Sequence, residues 1–453
     1  MKLIQKNIGG SSLFRNTLKM SATNVLMYFI PVIVTPILSR MYPQESFGEW
    51  GVFYSVISIL GVAMFFGYEN AIVKAESEQD SRHLGIICLV ISLFTITLTF
   101  LVFKAGSALG IRFFQTFPQQ WLLYIYLVLY ALYMILYNFC NRQEMYNALA
   151  ISHIVRGGSQ ALLRILFGLV ILGTINGLIF GTTLAQALTV VFFAICLRKF
   201  LSDSGWTHIS KKRIKELLYI NRRFPMFDAP ASVLAFTAFQ SPTLILSQYF
   251  SKAEVGCFSI VIQLLLLPMS FIGAAMGKVY YQQLCQVRND AAAIRQISKK
   301  VVDTVCIISI LPLLFLAVGG DKLLVIFLGE KWVTAGAVAL CLALWSFPTV
   351  LSQPMVPLYR TLDRQKNLLL FNALYFVGGV GSIVYGCLTA KPLCIILLIF
   401  SLVTAICKFC MFMNLLKLSG LKFRELNKYI LCLWIISIII LAIRLKDIVL
   451  LNC

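Results

Sequence analysis

Long apolar runs dominate this chain; segments close to twenty residues with few charges recur from one end to the other. A helix rising about 1.5 Å per residue needs about twenty such residues to cross the bilayer core. About thirteen runs qualify on a hydropathy reading: 21–41, 48–70, 84–104, 119–140, 148–173, 175–198, 224–250, 256–284, 299–319, 334–358, 367–388, 391–414 and 428–445. Hydrophobic residues make up 59% of the chain and charged residues 13%. A soluble fold with polar faces and long polar loops is excluded, and a polytopic helical membrane protein is predicted.

The formal charge of +21 invites a nucleic-acid reading, but its distribution argues against one. With the N-terminus on the cytoplasmic side, about 26 Lys and Arg fall in cytoplasmic segments and about 9 outside, as the positive-inside rule requires. The largest cluster runs through Arg198, Lys199, Lys211, Lys212, Arg213, Lys215, Arg222 and Arg223. Anionic lipid headgroups are the partners such charge implies, with no role for nucleic acid. Residues 1–20 read as a basic amphipathic N-terminus, and no cleavable signal peptide is apparent. The cysteines fall mostly within the apolar runs and act as small apolar residues. Cys407 and Cys410 form a lone CxxC that reads as packing.

Two segments echo one another without a gap: Ile37–Gly48 (ILSRMYPQESFG) and Ile245–Gly256 (ILSQYFSKAEVG). Each closes the first apolar run of one half of the chain and leads into the second. Internal duplication in an apolar chain is a mark of transporters. The predicted organisation is a six-helix lobe over 21–198, a basic cytoplasmic linker over 199–223, a second six-helix lobe over 224–414, and an extra helix with its tail over 415–453. Each copy of the echo is then the outer hairpin of one lobe. The copies differ: the first has Arg40 and Pro43 where the second has Gln248 and Ser251. Pro31, Pro36, Pro268, Pro312, Pro348, Pro354 and Pro357 interrupt predicted spans, each removing a backbone donor. Glycines at four-residue spacing, Gly173, Gly177 and Gly181, and again Gly273 and Gly277, mark close helix packing.

The stretch Arg40–Gly48 (RMYPQESFG), followed by Trp50 and Phe53, resembles the start of bacterial polysaccharide biosynthesis flippases. These are the Wzx-type lipid-linked oligosaccharide transporters of the multidrug/oligosaccharidyl-lipid/polysaccharide exporter superfamily. Tyr68–Val73 (YENAIV) is similar to the end of that family's second helix, and Arg223–Pro225 with Leu246–Gly256 to the opening of its C-terminal lobe. Phe327–Trp332 and Arg360–Gln365 are similar to later loops. One departure is Gly67, where many relatives carry an Arg. The resemblance implies a MATE-like all-α fold of two six-helix bundles around a central cavity, plus about one extra C-terminal helix, and no cofactor. It also implies alternating access, and an undecaprenyl-pyrophosphate-linked oligosaccharide turned from the cytoplasmic to the periplasmic leaflet of the bacterial inner membrane. The product would be O-antigen, capsule or a related surface polysaccharide. A polysaccharide polymerase and a chain-length regulator are the partners expected on that reading.

Moving a pyrophosphate through hydrocarbon demands cations and hydrogen-bond donors. Arginine suits the task because its planar fork stays charged and pairs bidentately with phosphate. Arg164 sits mid-run in the fifth span, with Arg156 two turns earlier and Gln160 between them. These residues either line a lumen or pair and snorkel between helices. Lys278, Lys408 and Arg40 are further pyrophosphate candidates, each with an interfacial-anchor alternative. Glu69 and Asp228 are candidate coupling sites for H+ or Na+, or else partners of nearby cations. Asn24, Gln160, Gln263 and Gln353 are candidate sugar contacts; Asn24, Gln263 and Gln353, like Gln186, Gln240 and Asn372, either hydrogen-bond sugars or pin helices together.

Two rivals remain. A cation-coupled multidrug exporter has the same architecture, but residues 21–39 lack Asp and Glu. A membrane glycosyltransferase or polymerase needs catalytic groups on a sizeable external loop. The longest external connection, about residues 105–118, carries only Arg112 as a charge. His83, His153 and His208 form no metal or triad spacing, and no phosphate-binding P-loop is present. The sequence therefore predicts a non-enzymatic transporter without a metal site.

Overall fold

A computed structural model describes residues 30–170, 176–202, 211–287, 290–426 and 428–451, all regular elements of which are helical. The chain forms two compact units. The first comprises the described residues up to Tyr42 together with Glu49–Gln240; the second comprises Pro43–Gly48 and Ser241 onward.

In the first unit the order is α1 (Ile30–Met41), α2 (Gln44–Ala63), whose first turn belongs to the second unit, and the short α3 (Glu69–Lys74). There follow α4 (Glu78–Ala108), α5 (Arg112–Thr116), α6 (Gln120–Arg142), α7 (Tyr146–Val170), α8 (Gly177–Cys196), α9 (Arg198–Ser202), α10 (Lys211–Ile220) and the start of α11 (Ala229–Tyr249). The second unit continues from α11 into α12 (Lys252–Gln286), α13 (Ala291–Phe315), α14 (Asp321–Leu328) and α15 (Val333–Ser352). It ends with α16 (Pro357–Thr361), α17 (Gln365–Leu388), α18 (Leu393–Leu418) and α19 (Lys428–Leu451). Among the described residues, ten helical stretches are long and apolar enough to span a membrane. The other three apolar runs fall on α1, α7 and α12.

The apolar run 48–70 is not one continuous helix. α2 stops at Ala63, and Phe66 and Gly67 take positive φ (51° and 82°) before α3 begins. A side chain at position 67 would be strained by that φ, and its Cβ would lie 3.3 Å from the Cβ of Phe224. The chain turns here because glycine permits it, which also explains why an Arg is not accommodated. In the run 334–358, a 3-10 turn over Gln353–Met355 separates α15 from α16. Pro354 and Pro357 withhold the donors that would have continued the α-helix.

The basic stretch after α8 is structured where it is described. Arg213 of α10 donates bidentately to Asp80 at 2.7 and 2.8 Å, and also pairs with Glu216 at 2.8 Å. The Tyr68 hydroxyl donates to the carbonyl of Leu218 at 3.3 Å. This amphipathic helix therefore docks on the start of α4.

The closing parts of the two echo segments, Pro43–Gly48 and Ser251–Gly256, meet within the second unit. The first turns of α2 and α12 cross so closely that a Cβ on Gly48 would run into the Lys252 carbonyl oxygen, and one on Gly256 into that of Gln44. The two clashes are reciprocal, since Gln44 and Lys252 are equivalent positions of the two repeats. Gln44 Nε2 also donates to the Lys331 carbonyl, and Phe47 meets the Trp332 ring edge-on at 5.1 Å. The extra helix α19 is equally integrated. Leu316–Gly320 form a π-turn with Gly319 out of helical geometry, and Arg444 of α19 donates to the carbonyls of Leu316 and Ala317 at 3.1 and 3.4 Å. Its other guanidinium nitrogen pairs with Asp321 at 2.8 Å.

Gly48→Ala and Gly256→Ala should each lower stability by about 1–3 kcal/mol through overpacking. The double variant should cost less than the sum, because one contact is lost twice. Thermal unfolding of detergent-solubilised protein measures both. Arg444→Ala should cost a further about 2–3 kcal/mol by stranding Asp321 and two carbonyls.

Candidate functional site

In the first unit α7 carries two arginines, Arg156 and Arg164, within its apolar run. Arg164 is 8% exposed. Its Nη2 and Nε donate to the Thr182 hydroxyl of α8 at 2.8 and 3.3 Å, and its guanidinium lies 4.7 Å from the centre of the Trp50 ring of α2. The Thr182 hydroxyl passes its own proton to the Leu178 carbonyl at 2.6 Å, so its lone pairs face the arginine. The backbone beside the site is equally held: the Tyr42 hydroxyl donates to the Arg164 carbonyl at 2.6 Å. Close approach of α8 to α7 depends on small residues. A Cβ on Gly181 would come within 3.0 Å of the Arg164 nitrogen, and one on Gly177 would collide with the Tyr42 hydroxyl. The packing role expected of this glycine spacing is what Gly177 and Gly181 perform; Gly173 lies outside the described residues.

Arg156 is half-buried two turns earlier. Its Nη2 reaches the Tyr126 hydroxyl at 3.4 Å, and its guanidinium sits 5.2 Å from the Tyr133 ring. Tyr126, Tyr130, Tyr133 and Tyr137 recur every three or four residues along α6, which places them on one face. Successive rings stand 6.2, 6.1 and 5.8 Å apart. Trp50 and Tyr54 stack at 5.2 Å on α2. Among the described residues neither arginine has a carboxylate within ion-pair distance; both instead face hydroxyls and the negative faces of aromatic rings.

Hydrogen-bonding capacity is left over around this cluster. Gln186, one turn beyond Thr182 on α8, is 1% exposed and neither of its amide atoms has a partner. The indole N–H of Trp50 is likewise buried and unpartnered. Gln160 is half-buried on α7 between the two arginines. Gln240, by contrast, is engaged, its Oε1 accepting from Ser55 at 3.2 Å.

The remaining candidates are scattered. Lys408 of α18, in the second unit, is half-buried with Nζ 4.6 Å from the centre of the Tyr375 ring. The Tyr375 hydroxyl accepts from the Trp345 indole at 2.9 Å. Arg40 is exposed at the end of α1 and donates to the Pro36 carbonyl at 2.9 Å. Lys278 lies on α12, with its side chain outside the described residues, and Asn24 lies outside them altogether. Gln263 and Asn372 are half-buried on α12 and α17, and Gln353 is exposed in the 3-10 turn. Glu69 opens α3 half-buried; Oε1 accepts from Asn70 at 3.3 Å, while Oε2 is buried without a partner. Asp228 is exposed at the end of the π-turn Phe224–Asp228. Among the described residues no cluster of His, Cys, Asp and Glu is arranged to hold a metal.

Trp50, Tyr54, Thr182 and the tyrosine face of α6 are absent from the candidates chosen on sequence. The three-to-four spacing of the tyrosines was visible, but on an apolar helix it is also the pattern of an ordinary core face. Only the position of Arg156 against it separates the two.

Residues 37–337 match a family described as polysaccharide biosynthesis protein. No curated protein matches the chain. Several solved structures share its fold. An inward-facing multidrug resistance MATE family transporter of the MOP superfamily aligns with a TM-score of 0.66 at 16% identity, over 88% of this chain and 96% of its own. The lipid II flippase MurJ, in an inward closed conformation, aligns with a TM-score of 0.67 at 11% identity, over 95% of this chain and 99% of its own. A MATE protein in complex with MaL6 gives 0.56 at 14% identity, over 89% and 97%. At these identities the likeness establishes a MATE- and MurJ-like membrane fold.

Thr182→Val should destabilise the protein by about 1–3 kcal/mol, because it strands a buried guanidinium. Arg164→Met should be close to neutral, since replacing a buried charge with an apolar side chain of similar length removes its desolvation cost. Unfolding midpoints of the two variants, compared in one detergent, check this inversion.

Proposed function

The chain belongs to the polysaccharide biosynthesis protein family, and from that premise we propose that it is a flippase for an undecaprenyl-pyrophosphate-linked oligosaccharide. It carries this lipid from the cytoplasmic to the periplasmic leaflet of a bacterial inner membrane by alternating access, supplying O-antigen, capsule or a related surface polysaccharide. The observation that carries the reading is the pair Arg156, half-buried, and Arg164, buried, set among aromatic rings and hydroxyls with no carboxylate among the described residues within ion-pair distance. A protein retains unneutralised cations in apolar helices at a cost, and the usual return is an anionic ligand.

The division of labour follows from the geometry. Thr182 engages one edge of the Arg164 guanidinium and Trp50 covers a face, which leaves Nη1 to donate to a phosphate oxygen. Tyr126 orients Arg156 in a similar way. The tyrosine face of α6 offers flat, partly polar surface for sugar rings, and the free amide of Gln186 offers further hydrogen bonds. Lys408 is a second cationic station in the other unit. The membrane potential supplies a driving force: a pyrophosphate with about two charges gains about 4–5 kcal/mol per 100 mV on leaving a negative interior.

A cation-coupled multidrug exporter is the second reading. The partnerless Oε2 of Glu69 favours it, as a carboxylate able to take a proton or a sodium ion. The basic character of the first unit's interior weighs against it.

A deletion strain should lose surface glycan and accumulate lipid-linked intermediate on the cytoplasmic side. Normal glycan without accumulation, in a strain lacking any redundant flippase, would overturn the reading. In complementation, Arg164→Ala should lower glycan export by about 10–100-fold at normal protein level, the loss expected of a charge-assisted pair. Arg164→Lys should retain part of the activity, because the charge survives without the fork.

A further inference from the structure

A cavity of about 510 Å3 lies in the second unit, between the start of α17, the last two turns of α18 and the loop that follows. Its lining is largely apolar, with Phe371, Met413, Leu416, Leu421 and Phe423, while Asn414, Lys417 and Lys422 bring nitrogen donors to it. Phe423 is held in place by an edge-on contact with Phe409 at 6.2 Å. The Asn414 amide is oriented by its neighbours: its Oδ1 accepts from the Tyr359 hydroxyl at 3.0 Å and from Asn367 Nδ2 at 3.4 Å. Both of its own N–H groups are thereby left for an acceptor in the cavity.

Among the described residues no carboxylate lines the cavity. The acidic group nearest in sequence, Glu425, pairs with Arg295 through Oε2 at 2.8 Å, which holds its carboxyl below the usual carboxylate range, and its Oε1 accepts from the Lys422 backbone N–H at 3.3 Å. The end of α18 does not repel an anion as an open helix C-terminus would. Its last carbonyls are closed by the backbone N–H groups of Ser419, Gly420 and Leu421, which donate to Leu415, Lys417 and Leu416 at 3.0, 3.1 and 3.0 Å. Lys417 stands in the final turn of α18, a helix long and apolar enough to span a membrane, and the end of a span is where lipid headgroups are met. Amide and ammonium donors beside an apolar lining, at the end of such a helix, match a phosphate attached to a glyceride.

We propose that this cavity binds an anionic glycerophospholipid, its phosphate held by Asn414, Lys417 and Lys422 and the top of its acyl chains resting on Phe371, Met413 and Phe423. The site is separate from the arginine–tyrosine cluster and does not depend on the transported substrate.

Native mass spectrometry of the full-length protein, titrated with phosphatidylglycerol or phosphatidylcholine, tests the assignment. The wild type should retain one phosphatidylglycerol in preference to phosphatidylcholine. The Lys417→Ala/Lys422→Ala variant should lose about 25-fold in that affinity, the equivalent of about 1 kcal/mol per lysine. Asn414→Leu should weaken phosphatidylglycerol while leaving phosphatidylcholine unchanged. A Lys104→Ala/Lys322→Ala variant, which removes the same charge elsewhere, should bind as the wild type does. The proposal is overturned if the two double variants behave alike, if the wild type does not distinguish the two lipids, or if an equimolar polyprenyl phosphate displaces the bound phosphatidylglycerol. None of these readouts involves transport, so their failure is distinct from failure of the flippase reading.

Discussion

Hydrocarbon offers no hydrogen bonds, so every charge and every freed backbone group within it must find a partner in the protein. Arg164 meets this demand with the Thr182 hydroxyl and the Trp50 ring in place of a carboxylate. Much of the first unit's interior is arranged around that solution. Gly177 and Gly181 bring Thr182 within reach, Tyr42 ties down the arginine's backbone, and the α6 tyrosines do for Arg156 what Trp50 does for Arg164. The same constraint explains arginines with no part in the proposed site. Arg142 donates to the Val73 and Ala75 carbonyls where α3 ends, and Arg444 closes the π-turn after α13. An ion pair would have been the obvious way to house a buried arginine. Hydroxyls and rings leave the positive charge uncancelled and available.

The two echoing segments are alike in backbone approach and unlike in polar chemistry. Gly48 and Gly256 make reciprocal close contacts, each with the repeat-equivalent carbonyl of the other copy. The residues that start the two helices are not equivalent. Ser251 caps α12 in a capping box with Glu254, whereas α2 begins directly after Pro43. Backbone approach has been kept alike in the two copies, and the polar chemistry around it has diverged.

How much could be read from the chain differs from residue to residue. The spans were legible because bilayer thickness sets a length that composition must fill. Arg156 and Arg164 were legible because charge is conspicuous in an apolar run. Thr182 was not, since a hydroxyl in a membrane helix usually bonds its own backbone, and here it does that as well. The cation-holding role of Tyr375 and of the α6 tyrosines was hidden for a related reason: aromatic residues at helical spacing look the same whether they fill a core or face a cation. In the sequence Gly67 stands out only as a departure from the family pattern, and its positive φ supplies the cause.

Sequence alone determined where the apolar segments lie, the likeness of Ile37–Gly48 to Ile245–Gly256 and the presence of cations where hydrocarbon disfavours them. Those are one-dimensional properties, set by composition and order along the chain. Tertiary structure decided what each cation faces: a threonine and an indole for Arg164, a row of phenols for Arg156, and a single tyrosine for Lys408. Those partners come from helices far apart in the sequence, and only packing brings them together. The energy of a buried charge depends on its neighbours in space, so the chemistry of the site became readable only once the helices were in place.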